Sequence, residues 1–182
     1  QGMLREAALA AEQAGMHVEL ACQDAREIKL GQRFDACICL CEGSFGLLSS
    51  GEDPAEHDIA ILRGIAASLV PGGRFVLTAL NALRNIRAYS DDDVAHGRFD
   101  NLTLCEAHLL SDAVSHRTDV ALPEEVASAT VLEKGFTAME LTLMLQIAGL
   151  KVENVWGGTA GNWGRRQLLM DEIELMVVAR LG

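Results

Sequence analysis

The chain has 182 residues, 49% of them apolar and 23% charged, with a formal net charge of −11 and a sequence pI near 4.8. That size and apolar content suit one globular domain with a substantial core and exclude a disordered chain, and no apolar run reaches the roughly 18 residues of a membrane-spanning helix. Lys and Arg total 15 against 26 Asp and Glu and lie scattered, so nucleic acid and anionic membranes are not the expected partners.

The opening stretch "MLREAALAAEQAG" places Leu4, Ala7, Ala8 and Ala11 at helical spacing, and Gly15 supplies its C-cap. "HVELAC" (17–22) reads as a strand and "QDAREI" as a polar turn. "RFDACICLC" is apolar nearly throughout, which predicts a parallel strand covered by helices on both faces. "GSFGLLSSGEDPA" reads as a loop. "EHDIAILRGIAASLV" predicts a helix with Ile59, Leu62, Ile65, Ala66 and Leu69 on one stripe, ended by "PGG" (71–73), and "RFVLTAL" a buried strand. This alternation predicts βαβ units and a parallel sheet.

Residues 82–135 depart from that pattern and predict a substrate-side excursion. It holds "SDDD" and then "NLTLCEAHLL" and "HRTDVAL", read as paired strands or a lid. Beyond it, "FTAMELTLMLQIAGL" predicts an amphipathic helix with Thr137 as N-cap, Glu140 completing a capping box and Gly149 ending it. "KVENVWGG" and "EIELMVVARL" predict strands joined by a long loop, "TAGNWGRRQLLMD", which suits an antiparallel pair.

Five cysteines, Cys22, Cys37, Cys39, Cys41 and Cys105, include an alternating trio. In a strand the trio shares one face. No CxxC pair is present, so they read as buried thiols of a reducing cytosol, not as zinc ligands. No basic stretch followed by an apolar core marks a secretory leader. His108 and His116 flank "LLSDAVS"; a metal site there needs a third ligand, so both are expected as exposed hairpin residues. In open α/β sheets ligands bind outside the carboxyl ends of the strands. Asp24, Cys41–Glu42 and Leu80–Asn81 fall at such ends. A carboxylate there either accepts from an exocyclic amine, as in adenine recognition, or merely caps a helix.

These segments, in this order and spacing, resemble the class I S-adenosylmethionine-dependent methyltransferases. "HVELACQDAREI" looks like the third strand and adenine-reading turn of that family, and "RFDACICLCEGSFGLL" like the fourth strand and its loop. "DIAILRGIAASLVPGGRFVLTALN" looks like the next helix and the fifth strand. "GFTAMELTLMLQIAGLKVENVWGG" with "EIELMVVARL" looks like the C-terminal helix and antiparallel strand pair. The resemblance implies a Rossmann-like α/β domain over residues 1–182, with a mostly parallel sheet and an antiparallel last strand. In the family's order, 3-2-1-4-5-7-6, it implies that the first two strands are missing. The glycine-rich cofactor loop, G-x-G-x-G, is missing with them. A fragment of this kind is expected to bind cofactor poorly by itself.

By the same resemblance S-adenosylmethionine is the cofactor. Asp24 would take the adenine amine, with Ala25 and Arg26 alongside. Leu40, Cys41 and Glu42 would line the cofactor, with Phe45 either on its sugar or in loop packing. Asn81 is placed with the substrate. His57, at a helix start facing the site, either touches ligand or is solvated. Glu42 is a weak candidate base or a plain carboxylate of the cofactor pocket. The Asn/Asp-Pro-Pro-Tyr signature of base methylation is replaced by "CEGS", so a small-molecule acceptor is expected. Trp156, Trp163, Arg165 and Arg166 crowd one loop. They either recognise an anionic acceptor or pin the loop, the arginines pairing with Asp171 and Glu172. Two rivals remain: a non-catalytic homologue that binds a nucleotide or a partner, and a nicotinamide-dependent oxidoreductase. The antiparallel terminal strand and the absence of a Tyr-x-x-x-Lys pair count against the second.

Overall fold

In a computed structural model of the chain the described residues are 2–41, 44–109 and 128–182. Nine strands and five α-helices fall within them, with 3-10 turns at Ala25–Glu27 and Ile86–Ala88. The main sheet contains β1 (Phe34–Cys39), β3 (Leu69–Leu80), β9 (Glu174–Leu181), β7 (Leu150–Thr159) and β8 (Asn162–Arg166), in that spatial order. β1 and β3 run parallel, and β9 is antiparallel to both β3 and β7. β1, β3 and β7 therefore share a direction, and the last strand of the chain enters between two of them reversed. This is the mixed α/β architecture with an antiparallel last strand that the sequence implied.

Helices α2 (Pro54–Ala67) and α5 (Ala138–Ile147) pack on one face of this sheet. The core lies between them, built from Ile61, Leu62, Ile65, Phe75, Leu77, Leu141, Leu145, Leu175 and Val177. Both helices start at capped ends. Asp53 accepts from the Glu56 amide with Pro54 in the first turn, and Thr137 and Glu140 form the expected capping box. A Thr137→Ala change leaves the Glu140 amide without its acceptor. It is expected to lower unfolding free energy by about 1 kcal/mol, measured by urea titration.

Four expectations change. First, α2 ends at Ala67, capped by Ser68, and Pro71-Gly72-Gly73 lies inside β3 instead of ending the helix. The register slips from Phe34↔Leu69 to Ala36↔Arg74, so these residues form a bulge. Gly72 takes φ +76°, and a Cβ on Gly73 would stand 2.8 Å from the Val70 carbonyl oxygen. Only glycines fit that bend. Second, residues 17–22 are exposed and form no strand, because no neighbouring strand offers them a ladder. Third, Ile38 of β1 is 66% exposed while Cys37 and Cys39 turn toward the core. Helix α1 (Gly2–Gln13), which closes with Gly15 at φ +65° as expected, buries none of its residues; of its stripe, Leu4 and Ala11 are half-buried and Ala7 and Ala8 exposed. Fourth, the expected loop 159–171 contains β8, an edge strand hairpinned to β7.

The excursion is a second, antiparallel sheet in the order β2 (Leu47–Ser49), β6 (Thr130–Lys134), β5 (Cys105–Leu109), β4 (Phe99–Asp100). It also carries α3 (Ala82–Asn85) and α4 (Asp91–Ala95), the latter opened by a Ser90–Asp93 capping box that absorbs the acidic run. β5 pairs with β6. The segment "HRTDVAL", read as its partner strand or as a lid, lies with His116 outside the described residues. β2 comes from the segment before α2, so this sheet recruits chain from outside 82–135.

Candidate functional site

The tips of β1 and β3 and the turn at Asp24 carry most of the residues expected to bind ligand. Asp24 caps the turn Ala25–Glu27 and accepts from the Arg26 amide at 2.9 Å. Its carboxylate also accepts from Arg26 Nε at 2.9 Å and Nη2 at 2.6 Å. These bonds hold the Asp24 carboxyl well below the usual carboxylate range. Arg26 also pairs with Glu52, which accepts from the Ser49 amide at 2.7 Å. Arg26 therefore ties the Asp24 turn to the loop between β1 and α2, and the two candidate ligand-bearing segments are neighbours.

A hollow of about 420 Å³ lies along the outer edge of β1, where Ala25 and Ile28 face Cys37–Leu40 and α2 contributes Ile61 and Ile65. It brings together Ala25 and Leu40, two residues expected at the cofactor. Burial pushes the Cys37 thiol up, which keeps it protonated and unreactive. No disulfide joins the cysteines among the described residues.

At the tip of β1 the backbone is left-handed at two residues that are not glycine, Cys41 (φ 53°) and Ser44 (φ 83°). Such conformations cost on the order of 1–3 kcal/mol each and concentrate at functional sites. The Cys41 amide donates to Thr78 Oγ1 of β3 at 2.9 Å, which fixes the strand end. Glu42, expected both to line the cofactor and to serve as a weak candidate base, lies outside the described residues.

Several other expected residues are occupied by the scaffold. Phe45 is 1% exposed and stacks on Phe136 at 4.8 Å, so it sits in the core. Asn81, also 1% exposed, donates to the Glu172 carbonyl at 2.9 Å and accepts from the Leu83 amide at 3.2 Å. It thereby anchors the segment before β9 to the end of β3. Arg166 forms a bidentate pair with Glu172 at 2.8 and 2.7 Å and depresses that carboxyl. Arg165 lies over the Trp156 ring at 5.6 Å. Trp163 is half-buried on β8. Asp171 pairs with Arg87 rather than Arg165.

Three features escaped sequence reasoning. Asp58 is fully buried in α2, where its Oδ1 accepts from the Gly46 amide at 2.9 Å and lies 2.9 Å from His57 Nδ1. Burial raises its carboxyl. Its position, three and four residues before Ile61 and Leu62 on the apolar stripe, was a legible signal that a charge had been placed inward. His57 is not solvated; its side chain is 8% exposed. Lys134 is buried, donating to the Thr103 carbonyl at 2.6 Å and pairing with Glu140 at 2.8 Å. Finally, a polar cavity of about 480 Å³ opens beyond the end of β3, lined by Arg84, Asn85, Arg87, Ala88, Tyr89 and Glu106.

No family model matches the sequence, and no curated protein does. Solved structures do match. A S-adenosylmethionine-dependent methyltransferase from Clostridium acetobutylicum ATCC 824 aligns with 100% of this chain and 72% of its own, at TM-score 0.68 and 14% identity. The CcbJ methyltransferase from Streptomyces caelestis aligns with 98% of this chain and 69% of its own, at TM-score 0.65 and 20% identity. The 1,6-didemethyltoxoflavin-N1-methyltransferase from Burkholderia thailandensis was solved with 1,6-didemethyltoxoflavin and S-adenosylhomocysteine. It aligns with 97% of this chain and 56% of its own, at TM-score 0.52 and 18% identity. The chain therefore has the fold of a class I methyltransferase.

Proposed function

We propose that the chain serves S-adenosylmethionine-dependent methyl transfer to a small-molecule acceptor in the cytosol. The observation that carries this reading is the sheet order β1-β3-β9-β7, with β9 reversed between parallel-running neighbours. It coincides with the fourth, fifth, seventh and sixth strands expected from the resemblance. A fold hosts many activities, so the site must support the reading separately. The donor set does: a carboxylate on a turn beside an apolar hollow offers an acceptor for an amine and apolar walls for a purine.

Asp24 would hold the adenine amine, with Ala25, Ile28 and Leu40 as apolar walls and Arg26 fixing the carboxylate's orientation. Cys41 and Glu42 follow at the tip of β1. When bound, the cofactor supplies an electrophilic methyl group. The protein's part is to hold acceptor and methyl in line and to exclude water. A base is needed only for an acceptor that must lose a proton, and Glu42 is the candidate. The acceptor would occupy the hollow beyond β3, facing Arg84, Arg87 and Tyr89. Phe45, Asn81 and Arg166 serve by holding the walls. Trp163 and Arg165 stand on the β7–β8 hairpin as candidate acceptor contacts.

No G-x-G-x-G stretch occurs in this sequence, and β1 has an unpaired outer edge among the described residues. Titration calorimetry with S-adenosylhomocysteine is therefore expected to give weak, saturable binding, with Kd near 1 mM or about −4 kcal/mol. Asp24→Ala should abolish it, and NAD should give no heat. Stronger binding of NAD, or undiminished binding by the variant, would overturn the assignment.

A further inference from the structure

The excursion sheet holds a cluster that the proposed methyl transfer does not use. Glu106 and Glu133 are direct cross-strand partners on β5 and β6, and His108 lies two residues along β5, on the same face. Carboxylates directly opposite on an antiparallel pair repel, and this pair is half-buried. His108 Nε2 is 3.3 Å from Glu106 Oε2 and 3.9 Å from Glu133 Oε2. Yet this nitrogen, shielded from solvent, has no hydrogen-bond partner. The three ligand atoms lie within 4.8 Å of one another.

The surroundings hold the cluster in place. The Tyr89 hydroxyl donates to Glu106 Oε2 at 2.6 Å, and its ring stacks on Phe99 at 4.6 Å. A carboxylate oriented by a hydroxyl that is itself fixed by packing is the arrangement that supports metal ligands.

We propose that Glu106, His108 and Glu133 bind one divalent transition ion of the zinc type. A cation between the carboxylates relieves their repulsion and gives His108 Nε2 the partner it lacks. One imidazole with two carboxylates suits zinc-like ions better than calcium or magnesium, which prefer oxygen alone. At zinc bond lengths of about 2.0–2.2 Å, ligand atoms stand about 3.3–3.6 Å apart. The 3.3 Å between His108 Nε2 and Glu106 Oε2 falls in that range, and the 3.9 Å to Glu133 Oε2 lies just beyond it. Glu106 and Glu133 supply the further ligands that a metal site at His108 needs. Glu106 also lines the hollow beyond β3, so the ion would stand at the border of that cavity. Metal binding at these three residues does not require the methyltransferase reading, although the cavity it borders is the one proposed for the acceptor.

Equilibrium dialysis of the full chain against Zn²⁺, read by elemental analysis, and Co²⁺ titration followed by visible absorption test the proposal. One equivalent is expected to bind, with a cobalt spectrum free of a thiolate charge-transfer band. His108→Ala and the near-isosteric Glu133→Gln should each weaken binding at least tenfold. Cys37→Ser/Cys39→Ser should leave it unchanged, and Mg²⁺ should not compete. Absence of stoichiometric binding, a thiolate band, or unchanged affinity in correctly folded Glu133→Gln would overturn it.

Discussion

Phe136→Ala is expected to lower the unfolding free energy by about 3–5 kcal/mol, which shifts the urea midpoint strongly downward. Phe136 is 0% exposed and joins three parts of the molecule. Its ring stacks on Phe45 from the β1–α2 loop at 4.8 Å, and Lys134 of β6 lies over it at 5.0 Å. Gly46 approaches so closely that a Cβ there would stand 2.9 Å from Phe136 Cε2. Truncation removes the apolar burial, the ring stacking and the aromatic face beneath a buried ammonium together. Local collapse cannot refill the space, because the neighbouring backbone at Gly46 is tied to Asp58. Phe136→Leu, which keeps most of the volume, should cost less than about 1.5 kcal/mol. A loss below about 1 kcal/mol for the alanine variant would show that the ring is not a junction.

Asp58 is expected to give the second large effect, with the sign set by the substitution. Asp58→Ala leaves the Gly46 amide without its acceptor beneath the core and should cost about 2–3 kcal/mol. It should also loosen the strand-tip loop that carries Glu42. Asp58→Asn keeps the Oδ1 acceptor and removes a buried charge. Burial raises the Asp58 carboxyl in the folded state. Above the unfolded value of about 3.9 the unfolded chain releases this proton first. The Asp58 contribution to stability therefore falls as pH rises through the folded pKa. The Asn variant lacks that decline, so its stability relative to the parent should increase from about pH 4 upward. Carboxyls held low by partners, such as Asp93 at about 2 with Ser90 and Arg98, lose stability on acidification in both proteins and cancel in the comparison. Urea titrations of both proteins across pH 4–8 decide it; a difference that does not change with pH would refute the buried charge.

The correspondence between sequence and fold is strongest where local signals and burial agree. The capping box at Thr137–Glu140, the apolar stripe of α2, the apolar run Phe75–Leu77 of β3 and the final strand pair each carried a period or a cap. "PGG" misled because the same residues that stop a helix also make a bulge, and which of the two they do depends on whether β1 is alongside. "HVELAC" alternates like a strand but has no partner. The loop "GNWGRR" pairs with β7 only because the hairpin at Ala160–Gly161 brings it back.

The sequence by itself determined that helices stand at α1, α2 and α5, that α5 starts at Thr137, that α2 turns an apolar stripe inward and that the chain is acidic, because these follow from the 3.6-residue period and from side-chain chemistry. The tertiary structure alone decided which polar groups remain available for a ligand. Asn81, Arg166 and Phe45 are as polar, charged or aromatic in the sequence as any site residue, yet the fold uses them to hold itself together. It also gathers Glu106, His108 and Glu133 on one face. Hydrogen-bond satisfaction and cross-strand register depend on which distant segments meet, and no local pattern encodes that.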